Sequence, residues 1–255
     1  MANSKSYQEW IENSQKQRCK DWQLGAQFDI APDTPTPPDY DKFTLFHDGA
    51  EKYSIIQSSP ASKNIENVVK LITTKNLFQP CLVGTLESQF LKMQCLIKGA
   101  KRCLDVGTFT GMSAVAMAEG IPNEGKVVTI EVSPEIAAVA QEAFDQSEVG
   151  KKIELRVGSA SEVMKKLQTD GEEFDVIFID ANKEDYLEYY QLAMDGLLAK
   201  DGIILVDNSL GAILYDKSDM RSQRLHEFNQ FVKNDKRVEK VILTIREGIT
   251  LIRRV

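Results

Sequence analysis

From residue 101 onward the sequence alternates between short apolar runs and helical stretches, and this alternation narrows the fold more than any other feature. The runs are Cys103–Val106, Val127–Val132, Ile153–Val157, Val176–Ile179 and Ile203–Val206. Helical spacing fills the gaps at Met112–Glu119, Pro134–Gln146, Ser161–Leu167 and Glu184–Leu198. Strand–helix alternation over a hundred residues implies a parallel sheet with right-handed crossovers and helices on both faces. The chain ends differently. After a helix near Arg221–Lys233, the runs Val238–Ile245 and Ile249–Arg254 are joined only by Arg246-Glu247-Gly248. So short a link forces an antiparallel hairpin, because a parallel return needs a crossover of about a dozen residues. The expected fold is α/β, a doubly wound, mostly parallel seven-stranded sheet closed by a C-terminal antiparallel hairpin. Ligands belong at the carboxyl ends of its parallel strands.

Two helices are expected before this core. In 62–76, Ile65, Val68, Val69 and Ile72 fall at helical spacing; in 86–97, Leu86, Phe90, Met93, Leu96 and Ile97 do so, entered at Thr85 as N-cap. Earlier still, 30–38 (IAPDTPTPP) holds four of the eight prolines and reads as an extended linker. It follows a polar stretch, 4–23, that can form a helix, with Trp10 and Trp22 as anchors onto the main body. The reading divides the chain into an extension, 1–50, and a main domain, 51–255.

Composition removes several function classes. With 42% hydrophobic and 27% charged residues the chain can build a core, and a net charge of −7 argues against binding nucleic acid or an anionic membrane. No run approaches the about 20 apolar residues of a membrane span, and the polar N-terminus is unlike a signal peptide. Cys19, Cys81, Cys95 and Cys103 form no CxxC pair and only His47 and His226 could join them, so structural zinc is not expected. Free thiols, with Cys95 and Cys103 buried, suit a reducing cytoplasm.

Three motifs carry chemistry. Leu104-Asp105-Val106-Gly107-Thr108-Phe109-Thr110-Gly111-Met112-Ser113 runs from an apolar strand through a glycine turn into a helix, a geometry that can bring backbone N–H groups to a ligand. It lacks the middle glycine of the dinucleotide fingerprint, which speaks against a pyrophosphate. Asp105 suits an ammonium better than a phosphate. Glu131 ends the second run, 24 residues after Gly107, where a carboxylate can accept both hydroxyls of a ribose. A ribose and an ammonium without a pyrophosphate fit S-adenosylmethionine. Taken singly, the turn is an ordinary βα connection and Glu131 a solvated strand end.

The third motif comes from two strand ends, Asp180-Ala181-Asn182-Lys183 and Asp207-Asn208. If their strands are neighbours, Asp180, Asp207 and Asn208 form an oxygen-only donor set suited to Mg²⁺, overlooked by Lys183. Helix capping explains either acid alone, and explains the pair with Asn208 and Lys183 less well. Tyr186, Tyr189 and Tyr190 recur at helical spacing as packing residues.

Together these segments resemble the cation-dependent, S-adenosylmethionine-dependent O-methyltransferases typified by caffeoyl-CoA and catechol O-methyltransferases. The resemblance covers about residues 53–255, through QFLKM, DVGTFTGMSA, IPNEGKVVTIE, FDVIFIDANKEDY, GIILVDN and REGITLIRR. The GTFTGMSAVAMAEGIP stretch and the tail are similar to members that methylate a cyclic enediol on the way to mycosporine-type sunscreens. The resemblance implies a Rossmann-like methyltransferase fold and metal ligation by Asp180, Asp207 and Asn208, with Mg²⁺, Ca²⁺ or Mn²⁺ as the cation. It implies Lys183 as base and acceptor contact by Asp180. Cofactor contacts would fall at Val83, Asp105, Gly107, Thr108, Ser113, Glu131, Ala160 and Asn182. A homodimer is also implied.

Three positions depart from the pattern. Asn182 stands where plant members usually carry an aspartate, Met112 replaces a frequent tyrosine, and Ser209-Leu210-Gly211 follows Asp207-Asn208 where Leu-Trp is common. Loss of that tryptophan removes a stacking wall for a flat phenylpropanoid. The expectation is therefore a cytoplasmic, metal-dependent enzyme that methylates one of two vicinal hydroxyls of a small catechol-like or enediol acceptor. Lys183 must lose its proton to act as base, which requires a pKa below the usual ~10.4. Two other readings stay open, an NAD-dependent oxidoreductase and a non-catalytic S-adenosylmethionine-binding protein.

Overall fold

All five apolar runs and both hairpin arms form strands of one seven-stranded sheet. The computed structural model describes residues 50–78, 81–216 and 218–255. The expected N-terminal helix and proline-rich linker, with Trp10, Trp22, Cys19 and His47, lie outside the described residues. The strands are β1 (Arg102–Val106), β2 (Lys126–Glu131), β3 (Ile153–Val157), β4 (Phe174–Ile179), β5 (Leu198–Val206), β6 (Val238–Leu243) and β7 (Ile249–Arg254). Their order is β3-β2-β1-β4-β5-β7-β6, parallel from β3 to β5 and antiparallel where β7 meets β5 and β6. The order reverses between β1 and β4, which opens a crevice at their carboxyl ends.

The helices are α1 (Ala50–Gln57), α2 (Lys63–Thr74), α3 (Gly84–Lys98), α4 (Met112–Glu119), α5 (Pro134–Asp145), α6 (Ala160–Thr169), α7 (Tyr186–Leu192), α8 (Gly211–Leu214) and α9 (Met220–Asn234). Helices α2 to α5 cover one face of the sheet and α6, α7 and α9 the other. Along β4, Phe174, Ile177 and Ile179 pack into one core while Val176 and Phe178 pack into the other. A strand buried on both sides is written as a near-continuous apolar run. This one reads FDVIFI, with only the half-buried Asp175 polar, near its start, where it accepts from Lys101 N and Arg102 N. Tyr186 and Tyr190 stand edge-on to Phe228, each with ring centroids 6.0 Å away, and tie α7 to α9 as packing residues. The thiols of Cys95 and Cys103 are buried and free, 3.8 Å apart. Among the described residues no helix is long and apolar enough to cross a membrane.

Some expectations fail, for local reasons. Helix α3 begins at Gly84 rather than being capped by Thr85, and it buries Glu87, Ser88, Leu91 and Cys95. The expected apolar face of Met93, Leu96 and Ile97 is exposed. Small side chains explain the choice, since α3 packs against the alanine-rich α4, where a Cβ on Gly120 would meet Cys95 Cβ at 2.7 Å. The helix expected to run to Leu198 stops at Leu192. A π turn follows, Gly196 leaves the helical region (φ 163°, ψ −5°), and β5 starts at Leu198. β2 ends at Glu131, leaving Val132 exposed, and β6 ends at Leu243. Ser62 caps α2 and Ser133 caps α5, accepting from Ile65 N and Ile136 N at 3.2 and 3.3 Å.

Candidate active site

A cavity of about 650 Å³ opens at the carboxyl ends of β1, β2, β4 and β5, a volume suited to a small molecule. Its wall includes Val83, Gly107, Thr108, Ser113, Glu131, Ala160, Asp180, Asn182, Lys183, Asp207 and Asn208. Every expected site residue except Asp105 therefore faces one space. Parallel pairing of β4 with β5, Ile179 beside Val206, brings Asp180 and Asp207 to adjacent strand ends as the sequence reading required.

The glycine turn serves this wall differently from expectation. Gly107 N and Thr108 N both donate to Ile130 O, at 3.2 and 3.0 Å, and Phe109 N donates to Glu131 Oε2 at 2.9 Å. Those donors are spent inside the protein. Glycine is needed at 107 for space: φ is +109°, and a Cβ would lie 2.1 Å from Asp180 O. The turn thus lets the ends of β1 and β4 meet under the cavity.

Asp105 is wholly buried and reaches the cavity only through hydroxyl partners, Ser113 directly and Thr108 by way of Thr129. Its Oδ2 accepts from Ser113 Oγ (3.0 Å) and Thr129 Oγ1 (2.7 Å), and Thr129 pairs with Thr108 at 2.6 Å. Oδ1 is buried without a partner. Burial pushes the carboxyl up to about 7 against the pull of the two hydroxyls. Glu131 does lie at the wall, aimed by two backbone donors, Phe109 N and Ser133 N, each at 2.9 Å. Burial raises its pKa, partly offset by those bonds.

At the other end Lys183 Nζ donates to Asp180 Oδ1 at 2.7 Å. Asp207 Oδ1 accepts from Asn208 N at 2.6 Å, and Asn208 Nδ2 donates to Glu247 Oε2 at 2.9 Å. Burial, then the charge of Asp180, pushes Asp207 up to about 7. Burial alone would lower Lys183, but Asp180, Asp207 and Glu247 outweigh it and raise the pKa. The expected lowering belongs to the loaded site, where the charges of the cation and the sulfonium would push the pKa down. With nothing bound, its carboxylate neighbours hold the ammonium protonated. Among the described residues no cluster of three or more His, Cys, Asp or Glu side chains is arranged for a metal ion; the candidate set is two carboxylates and an amide.

Sequence reasoning missed three members of this end. Glu87 is fully buried with both oxygens unpartnered, and burial with the charges of Asp207 and Asp180 raises its pKa well above the usual range. The signal was present, since Glu87 lies in helical register with the buried Leu91 and Cys95. Glu247 and Tyr215 were also missed: Tyr215 OH donates to Glu247 Oε2 at 2.5 Å, and both residues line the cavity. Tyr215 supplies an aromatic side chain from the segment that lacks the common tryptophan. Asn182 lines the cavity and donates to Asp185 Oδ2 at 2.8 Å.

Comparison with known proteins identifies what the chain is similar to. The family model for O-methyltransferase matches residues 56–255. The chain is 31% identical over 227 residues to the probable caffeoyl-CoA O-methyltransferase 1 of Dictyostelium discoideum, covering 86% of this chain and 98% of that protein. It is 32% identical over 209 residues to tricin synthase 2 of Oryza sativa subsp. japonica, covering 76% and 70%. Among solved structures, the Bacillus cereus O-methyltransferase in complex with SAH superposes with a TM-score of 0.73 at 26% identity, covering 80% of this chain and 96% of that one. The SAH-bound methyltransferase of Podospora anserina gives 0.71 at 27% identity, covering 87% and 97%. With the family matched across the whole sheet and its cavity, the chain belongs to the O-methyltransferase family.

Proposed function

We propose that the protein transfers the methyl of S-adenosylmethionine to one of two vicinal hydroxyls of a compact catechol-like or cyclic enediol acceptor, with a divalent cation such as Mg²⁺. The observation that carries this reading is one cavity lined both by Glu131 and by Asp180, Lys183, Asp207 and Asn208. The donor set fits a hard cation, because carboxylate and amide oxygens are the ligands such ions take. Charge fits as well. Glu87, Asp180, Asp207 and Glu247 share this corner with Lys183 and Arg246, a group whose fully ionised form carries −2. When bound, S-adenosylmethionine supplies a methyl on a sulfonium, and the cation supplies Lewis acidity that eases loss of the acceptor's proton.

The chain's own residues do the rest. Glu131 accepts the ribose hydroxyls with a carboxylate already aimed by Phe109 N and Ser133 N. Asp180, Asp207 and Asn208 would hold the cation at the diol end, and the walls from Val83 to Ala160 would fix the methyl donor beside it. Fixing both partners in one frame removes much of the entropic part of the barrier. Once its carboxylate neighbours are engaged, Lys183 Nζ gives up its own proton to solvent, and the free amine then takes the acceptor's hydroxyl proton.

A Lys183→Met variant tests the assignment. Methyl transfer at neutral pH should fall by about 10²–10⁴, the usual worth of a positioned base, and recover partly as pH rises. A variant as fast as the parent at neutral pH contradicts the role of Lys183.

A further inference from the structure

Asn208 is a primary amide with two ends of opposite character, an oxygen that can face a cation and an NH₂ that cannot. Its backbone is in the left-handed region, φ +59°. Its N–H is held by Asp207 Oδ1, and its carbonyl accepts from Gly211 N at 2.8 Å. Those contacts fix where the side chain starts but not which end points where. The flip is decided by Glu247, whose carboxylate can only accept and which takes Asn208 Nδ2 at 2.9 Å. With the NH₂ end so bound, Oδ1 is the end left over.

Glu247 is itself held in place. It sits at the tip of the β6–β7 hairpin, which clamps the turn after Asn208 through Ser209 N on Gly248 O (2.9 Å) and Leu210 N on Glu247 O (2.8 Å). Tyr215 OH donates to the same Oε2 at 2.5 Å. Gly248 has φ +92°, and a Cβ there would meet Leu210 at 2.5 Å, so the clamp closes tightly.

We infer that Glu247 is a positioning residue that fixes the flip of the Asn208 amide, so that Oδ1 is offered to the divalent cation together with Asp180 and Asp207. The inference rests on the metal-dependent reading above. Contacts of this kind around a ligand typically govern metal affinity by 10–100-fold.

The test is Mn²⁺ binding to the full-length protein, followed by the electron paramagnetic resonance signal of free Mn²⁺, with SAH affinity and thermal unfolding measured on the same samples. Glu247→Leu should weaken Mn²⁺ by about 10–100-fold while SAH affinity stays within about threefold. Glu247→Gln keeps an oxygen to accept from Asn208 Nδ2 and should bind Mn²⁺ within about threefold of the parent. Parent-like Mn²⁺ binding by Glu247→Leu would overturn the inference. An equal loss in Glu247→Gln would also overturn it, because charge or direct ligation would then be the cause. Failure of the parent to bind Mn²⁺ would overturn the metal-dependent reading itself and the inference with it.

Discussion

Replacing Asp105 by Asn should reshape the pH dependence of stability. Burial raises this carboxyl from 3.8 to about 7 in the folded protein. Between those values the folded state keeps a proton that the unfolded state has released, so stability falls as pH rises through the window, and the full cost is present above pH 7. At 1.36 kcal/mol per unit, the parent loses about 3 kcal/mol between pH 5 and pH 8.5 from this group alone. The substituted amide could still accept from Ser113 and Thr129, but its NH₂ would replace the unpartnered Oδ1 as a buried orphan, costing about 1–3 kcal/mol at every pH. The variant should therefore gain on the parent as pH rises. At roughly 2–4 °C per kcal/mol, the Tm difference between the two should shift by about 6–12 °C over that range in the variant's favour. Differential scanning calorimetry of the ligand-free proteins from pH 5 to 8.5 reads this directly. Parallel Tm curves would refute the buried, proton-holding Asp105.

Glu131→Ala should weaken S-adenosylmethionine by about tenfold or more in calorimetry, since it removes charge-assisted bonds to two hydroxyls, while Mn²⁺ affinity stays unchanged; NAD should bind far more weakly than S-adenosylmethionine to the parent. Compact diols should show higher kcat/KM than caffeoyl-CoA, because Ser209 is buried against Thr250 and only Tyr215 lines the cavity from the segment 209–216; a clear preference for caffeoyl-CoA would contradict this. Glu119 ties α2, α3 and α4 together by accepting from Ser62, Asn64 and Lys92. Burial opposes its ionisation but those donors outweigh it and lower its pKa, so their stabilisation is lost as pH falls. Glu119→Gln should cost about 1–2 kcal/mol at pH 7 in urea unfolding, and the difference should shrink toward acid.

The sheet was legible because its central strands are largely buried on both faces and so are written as mostly apolar runs between helical spacings, while the edge strands β3 and β6 stay partly exposed. The link of three residues likewise dictated the hairpin. The convergence of Asp180 with Asp207 followed from topology alone, since both end neighbouring parallel strands. What could not be read was orientation. Leu86, Met93, Leu96 and Ile97 suggested one face of α3, but close approach to α4 selected the side with Ser88 and Cys95, and that choice buried Glu87. The glycine turn had the expected shape, yet Ile130 O and Glu131 consume its donors, which depends on how β2 ends beside it. Glu247 lies 39 residues from Asn208 and joins it only because β7 inserts beside β5. The start of β5 was hidden by a helical-looking Leu197-Leu198-Ala199-Lys200, and only Gly196 marks the break.

Methyl transfer from labelled S-adenosylmethionine to a vicinal diol, followed in Mg²⁺ and again after a chelator, addresses the joint role of Glu131, Asp180, Lys183, Asp207 and Asn208 most directly. Transfer to a single hydroxyl that needs Mg²⁺, stops with chelator and returns when Mg²⁺ is restored is the expected result, with Asp207→Ala folded but inactive throughout. Equal transfer in chelator, or an Asp207→Ala variant as active as the parent, would contradict it.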